Sequence, residues 1–226
     1  MYRRPFVAPY PSTGRRPPDS AQASVWSRWK GFAHRRSTAG APDRAPAPNT
    51  ITRLMAALYA DMAGYSRLFA LDDVGTVARL RTLHQDVVEP AIDRHHGRLV
   101  QTGGDSMLII FDSVAHAVQC AVTIQSGNED DGPKDREIRF RIGVDLGDII
   151  MDGMNFHGDG VIVATRLQAV CPPGGICVSR AVHERGADRL GLPTRALGPL
   201  ALKNVVHPVE AFVLWPALQD VAQLAS

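Results

Sequence analysis

Between Arg98 and Phe111 two apolar runs, Leu99-Val100 and Met107-Leu108-Ile109-Ile110-Phe111, flank Gly103-Gly104-Asp105-Ser106. No other stretch of the chain restricts the fold as tightly. Glycine reaches positive φ without steric cost, so paired glycines between apolar runs predict a tight hairpin joining two core strands. The tip of that hairpin carries one carboxylate, Asp105. Taken alone, Asp105 is explained as well by turn chemistry, which favours Asp, as by function.

A second carboxylate changes the weighing. Leu54–Ala60 is an apolar run, read as a buried strand with Asp61 at its C-terminal end. Gly64-Tyr65-Ser66 then turns the chain into a short helix. Val74, Val77, Leu80, Leu83, Val87 and Ile92 recur at three- and four-residue steps and predict one face of a long helix. Pro90 should kink that helix and Gly97 should cap it. After the hairpin, Asp112-Ser113 caps another helix whose inner face is Val114, Ala117, Val118, Ala121 and Val122. A polar loop covers 126–136. Ile138, Phe140, Ile142, Val144 and Leu146 then alternate with Arg139, Arg141, Gly143 and Asp145, the clearest period-two strand in the chain. Ile149 to Phe156 reads as an arm or hairpin, and Gly158-Asp159-Gly160 opens a helix ending near Val170. Ile176–Val178, Arg195–Leu202 and Val209–Leu214 supply shorter strands. This order predicts an α+β fold of ferredoxin-like type, a mixed or antiparallel sheet with helices packed on one face.

Charge is divided unevenly along the chain. Residues 1–50 hold nine Lys/Arg against two Asp, a net +7, while the rest holds sixteen basic and twenty-one acidic residues, a net −5. An acidic body gives no electrostatic basis for nucleic-acid binding. Eight prolines among residues 1–50 complete a composition that cannot offset chain entropy, so this tail is expected to be disordered. Within it, Trp26, Trp29 and Phe32 among cations read either as a sticky disordered segment or as a short interfacial or partner-binding turn. The tail has no apolar core of a secretory signal. The expected division is therefore a basic tail at 1–50, a folded domain at 52–215 and a short C-terminal tail at 216–226.

No apolar run approaches the ~18 residues that a membrane span needs. Three cysteines, Cys120, Cys171 and Cys177, fit no zinc spacing and point to a reducing compartment, hence a cytoplasmic location. The eight histidines are scattered, and His95-His96 at a helix end suits the helix dipole better than a metal.

Asp61 at a strand end and Asp105 at a hairpin tip are costly neighbours unless they share a cation. Hard divalent ions such as Mg²⁺ take oxygen ligands and leave room for substrate phosphates. Two strand-end aspartates therefore suit a metal site for phosphoryl transfer, or they are two independent solvated turn residues.

Further segments bear on this choice. Ala60-Asp61-Met62-Ala63-Gly64-Tyr65-Ser66, Gly103-Gly104-Asp105-Ser106, Gly158-Asp159-Gly160-Val161 with Arg166, Pro173-Gly174-Gly175-Ile176-Cys177-Val178-Ser179 and Ala201-Leu202-Lys203-Asn204 occur in that order along the chain. Together they closely resemble the class III adenylate/guanylate cyclase catalytic domain over about residues 52–215. The resemblance implies an enzyme in which the 3′ hydroxyl of a nucleoside triphosphate attacks its own α-phosphate and pyrophosphate leaves. It implies two Mg²⁺ or Mn²⁺ ions per active site, ATP as substrate, cyclic AMP as product and a role in signal transduction. It also implies a dimer with sites shared between subunits, either a homodimer or a heterodimer with another cyclase chain. Asp61 and Asp105 match the metal ligands, with Met62 beside Asp61 at the same site. Arg166 matches the arginine that stabilises the transferring phosphate, and Lys203 matches a lysine on the triphosphate.

Three positions depart from the commonest family pattern. Gln101 stands where adenylate cyclases usually have a base-reading lysine, and Asn155 stands at its companion position. Two amides can accept from the exocyclic amine of adenine and donate to a ring nitrogen. Ile162 replaces an asparagine four residues before the arginine, on the same helical face. The second reading is thus a degenerate cyclase domain that binds nucleotide or serves as a heterodimeric or regulatory partner. A GGDEF-type diguanylate cyclase would rest on Gly103-Gly104-Asp105 alone; Ser106-Met107 and Lys203 speak against it.

Overall fold

The computed structural model describes residues 50–127, 136–153 and 155–215. The chain divides into two units, Met1–Arg44 and Ala45–Ser226, and every described residue lies in the second. The basic tail with Trp26, Trp29 and Phe32, the acidic part of the 126–136 loop and the C-terminal tail lie outside the described residues.

The sheet is built on β1 (Ile51–Met62), which pairs antiparallel with β3 (Ser106–Phe111) on one side and β4 (Phe140–Asp152) on the other. β2 (Arg98–Thr102) closes the expected hairpin with β3. Beyond β4 come β6 (Ile176–Ser179), parallel to it, then β8 (Val209–Leu214) and β7 (Thr194–Leu200), both in antiparallel pairings. β5 (Asn155–His157) folds back onto the far end of β4. The result is the mixed sheet of an α+β fold. β1 starts earlier than its apolar run suggests. Ile51 to Leu54 are exposed and held by main-chain pairing with Asp148 to Met151, which leaves no trace in side-chain pattern.

Helices cover both faces of the sheet, not the single face expected. Ala56, Leu58, Ala60 and Met62 point into a core shared with α2 (Asp73–Leu83), α3 (Glu89–Arg94) and α4 (Val114–Ser126). Met55 and Ala57 point the other way, into a cluster with Ala164 of α5 (Asp159–Val170). A strand buried on both faces reads as a continuous apolar run, as β1 does. On β4 the covered second face is disguised by glycines. A Cβ on Gly143 would lie 2.1 Å from the carbonyl oxygen of Ala164 and 2.4 Å from the nitrogen of Gln168. On Gly147 it would lie 2.7 Å from the nitrogen of Gly160. Helix α5 therefore rests directly on the β4 main chain.

The long helix also differs in its buried face. Val74 and Val77 are 77% and 40% exposed, and the inward residues are Thr76, Leu80, His84, Val88, Ala91 and Ile92. A π turn over His84–Val88 joins α2 to α3 and rotates the buried face of α3 relative to that of α2. It also places Pro90 in the first turn of α3, where a missing N–H is tolerated. His96, at φ 56°, takes the left-handed position expected of Gly97. Gly97 serves packing instead, since a Cβ there would lie 2.6 Å from the ring of Phe111.

Two glycine substitutions separate packing from backbone conformation. Gly143→Ala forces α5 off β4 and should cost at least about 3 kcal/mol, the upper part of the range for overpacking. Gly104→Ala sits at φ 82° with nothing within 4 Å of a Cβ. It should cost only the left-handed penalty of about 1 kcal/mol. Urea unfolding of both variants checks this, and the reverse order would contradict the close helix-on-strand contact.

Candidate active site

Asp61 is the penultimate residue of β1, opposite Ser106 on β3 and Arg141 on β4. Directly paired residues of antiparallel strands share a face, so Asp61 and Arg141 both lie on the α5 side. Asp105 occupies the β2–β3 turn, where Gly104 takes φ 82° and the Gly103 N–H donates to the Ser106 carbonyl at 2.8 Å. The Met62 N–H donates to the Asp105 carbonyl at 2.9 Å. That bond ties the hairpin tip to the end of β1 and brings the two carboxylates together. The Met62 side chain is packed in the core, so only its main chain reaches this place.

The electrostatics record the crowding. Burial pushes the Asp61 carboxyl above its ordinary value, and the charge of Asp105 pushes it the same way. Arg141 and a hydrogen bond from Gln168 pull it down without cancelling the rise. Gln168 is a buried residue of α5 and its Nε2 donates to Asp61 Oδ2 at a long 3.4 Å. Two oxygen ligand groups that repel one another in a partly desolvated place suit a hard divalent cation.

Arg166 and Lys203 form a second group. Arg166 Nε donates to the Lys203 carbonyl at 3.1 Å. The Lys203 turn is held by the Val205 N–H donating to the Leu202 carbonyl at 3.1 Å and by Asn204 at φ 62°. Leu202 is buried with Val163 and Leu167 of α5, which anchors the turn to the helix. The cation whose charge acts on Asp61 is thus Arg141, while Arg166 is engaged with Lys203. Gln101 on β2 and Asn155 on β5 are exposed. Among the described residues the side chain of neither makes a hydrogen bond or ion pair. Ile162, one turn before Arg166, is 40% exposed.

Sequence reasoning missed Arg141 and Gln168. The alternation placed Arg141 on the polar side of its strand, but only the β1–β4 register sets it against Asp61. Among the described residues no group of three or more His, Cys, Asp or Glu is poised around a cation. His95 instead shares a 3.0 Å hydrogen bond with Thr123.

No family model matches the chain. A solved structure from Silicibacter pomeroyi, an adenylate/guanylate cyclase/hydrolase, is 39% identical, covers 75% of this chain and 100% of its own, and superposes with a TM-score of 0.70. The chain belongs to the class III adenylate/guanylate cyclase catalytic-domain family. A Rhizobium meliloti protein provisionally named adenylate cyclase 3 is 38% identical over 167 residues, 73% of this chain and 28% of that protein. An uncharacterised Mycobacterium tuberculosis protein is 30% identical over 159 residues, 69% of this chain and 40% of that protein. The chain thus spans less than half the length of these two relatives. The catalytic core of a rhodopsin-guanylyl cyclase, solved with ATPαS, shares the fold at a TM-score of 0.65 and 17% identity, covering 74% of this chain and 98% of its own. No helix among the described residues of this cyclase domain is long and apolar enough to cross a membrane.

The raised Asp61 pKa has a defined sign in stability. Its folded-state value exceeds the unfolded one, so the folded protein binds the proton first as pH falls. The penalty on the folded state is full above the raised pKa and fades in acid, near the ordinary carboxylate value of 3.8. Asp61→Asn should therefore raise the thermal midpoint at neutral pH in metal-free buffer and lose that advantage in acid. A midpoint no higher than the wild type at neutral pH would contradict the crowding.

Proposed function

We propose that this cyclase domain is an adenylate cyclase that converts ATP to cyclic AMP and pyrophosphate in a dimer with shared sites. The observation that carries the reading is the pairing of Asp61 and Asp105, crowded and partly desolvated at the joined ends of β1 and the β2–β3 turn. Asp61 and Asp105 would hold Mg²⁺ or Mn²⁺, with the Met62 main chain alongside. Two such ions, when bound, polarise the α-phosphate and lower the pKa of the attacking hydroxyl. Arg141 faces the same place and would meet the triphosphate with positive charge. In the reaction the 3′ oxygen bonds to the α-phosphorus, the bond to the bridging oxygen of pyrophosphate breaks, and the hydroxyl proton leaves to solvent.

Arg166 and Lys203 are already held together and would act as a unit on the triphosphate. A guanidinium fixed before reaction stabilises developing charge without reorganising. The separate engagement of Arg166 supports its serving the aspartates of a second copy. Gln101 and Asn155, exposed and uncommitted, would read the adenine edge through their amides. Soluble, cytoplasmic operation in a signalling role belongs to the same proposal, as do the domain limits of 52–215 and the two tails.

A specific observation favours a second reading. Ile162 is exposed and has no hydrogen-bonding group where the family commonly has asparagine. A domain lacking that donor would act as a nucleotide-binding or regulatory partner, or complete one site in a heterodimer.

Turnover of ATP and GTP with Mg²⁺ and with Mn²⁺ separates the readings. Cyclic AMP should form, cyclic GMP should be minor, and Asp61→Ala or Asp105→Ala should abolish the reaction. Arg166→Ala should lower kcat by about 10²–10³, the scale of one preorganised charge-stabilising donor. Mixing the Asp61→Ala and Arg166→Ala proteins should recover part of the activity if sites are shared. Ile162→Asn should raise kcat. A folded dimer that forms no cyclic nucleotide with either metal, but gains activity when mixed with another cyclase chain, would establish the second reading.

A further inference from the structure

All three cysteines are free, and two of them are neighbours. Cys120 of α4 lies in the main core, while Cys171 and Cys177 share a second cluster with Val163 and Leu167 of α5. Cys171 ends α5, and Cys177 is the second residue of β6. Between them Pro172 to Gly175 form a turn closed by the Gly175 N–H donating to the Pro172 carbonyl at 3.0 Å. Pro173 in second place and Gly174 in third, at φ 82°, is the pattern of a type II turn. The turn sends the chain straight back from helix to strand, so the two side chains flanking it meet. A Cβ on Gly175 would lie 3.3 Å from Cys171 Sγ, so the glycine leaves room for that sulfur. The Cys177 thiol is hydrogen bonded to Cys171.

A buried cysteine behaves as a small hydrophobe, and Cys120 needs no other account. Two thiols bonded to one another differ, because oxidation can join them while the surrounding fold stays in place. The two sulfurs are not equivalent. The bond to Cys171 and then burial push the Cys177 thiol well up, so Cys177 keeps its proton. Cys171, 2% exposed against 0% for Cys177, also lines a cavity of about 450 Å³ beside β7 and β8. It stands at a helix end, the part of a helix that opens first. Cys171 is therefore the sulfur that a small oxidant meets.

We propose that Cys171 and Cys177 are a redox modification site, converted by hydrogen peroxide to a reversible disulfide that clamps the end of α5 to β6. The Cys171 sulfur, as thiolate, attacks one peroxide oxygen and the O–O bond breaks. The departing hydroxide becomes water with the proton that Cys171 gave up, and a sulfenic acid remains. The Cys177 sulfur attacks the Cys171 sulfur, the S–O bond breaks, and the second hydroxide leaves as water with the Cys177 proton. Two thiols lose two electrons and the peroxide is reduced to two waters. Such a pair suits a reducing compartment, where disulfides are transient and sense oxidants. The clamp acts on the helix that carries Arg166 and Gln168, but its formation needs neither nucleotide nor metal, so an inactive cyclase would leave the test untouched.

The full-length wild-type chain is treated with hydrogen peroxide under native conditions, unfolded in N-ethylmaleimide and mapped by peptide mass. Labelling should fall from three cysteines to Cys120 alone, with Cys171 and Cys177 joined within one chain, and dithiothreitol should restore all three. In Cys177→Ser, dimedone should trap Cys171 as its sulfenic acid. The Cys171 N–H, which donates to the Gln168 carbonyl at 3.1 Å, should exchange with solvent more slowly in the oxidised protein. Three labelled cysteines after peroxide, a disulfide through Cys120 or between two chains, no sulfenic acid in folded Cys177→Ser, or unchanged exchange at Cys171 would each overturn the proposal.

Discussion

Helix α5 lies on β4 main chain to main chain where Gly143, Gly147 and Gly160 remove side chains that would hold them apart. The geometry around the aspartates depends on that contact. At ordinary helix-to-sheet spacing Gln168 would stand too far from β1 to bond Asp61. With the helix pressed onto the strand, Gln168 reaches the carboxylate while Arg166, two residues earlier, turns away toward Lys203. If the sites are shared between two copies, the same helix serves one site through Gln168 and the other through Arg166. Small movements of α5 would then be felt at both.

The aspartates themselves are held against their own electrostatic preference. Burial and mutual repulsion raise Asp61, and Arg141 with Gln168 offset only part of that. Such an arrangement persists because the surrounding frame over-determines it: β1 is paired on both sides, and the Met62–Asp105 main-chain bond fixes the hairpin tip. Rigidity of the sheet takes the place of local compatibility. A divalent cation would relieve the same strain, which is why destabilised carboxylates in a well-ordered frame are informative about function.

Much of this is legible in the order of residues. The glycine pair predicts the hairpin because only glycine adopts φ 82° at no cost, and Gly104 does so. The alternation read over Ile138–Leu146 falls on the strand Phe140–Asp152, which runs on into the arm read from Ile149, and the helix opened by Gly158-Asp159-Gly160 spans Asp159–Val170. The features that escaped depend on contacts between distant segments. Arg141 becomes relevant only through register with Asp61, and Gln168 only through the approach of α5. The second covered face of the sheet is hidden because Gly143 and Gly147 contribute no apolar side chain to a pattern search. The π turn at His84–Val88 shifts the inward face of a helix whose three- and four-residue steps look regular. Comparison with known proteins shows the family, and the order of the short motifs along the chain carries the same information.

Ile162 is the residue that packing does least to explain. It lies on the exposed side of α5, away from Val163, Ala164 and Leu167, which are buried against the sheet. A core position would demand an apolar side chain; this one does not, and asparagine would fit there without rearrangement. An exposed isoleucine costs little in a monomer. Nothing in the single chain requires isoleucine at this position. Ile51, Leu54 and Ile150 are also exposed, on the β1–β4 ribbon that extends past the core. Apolar side chains on a paired ribbon and on the helix that carries Arg166 share one physical consequence: contact with another chain would remove them from water and set the distance at which Arg166 meets a second pair of aspartates.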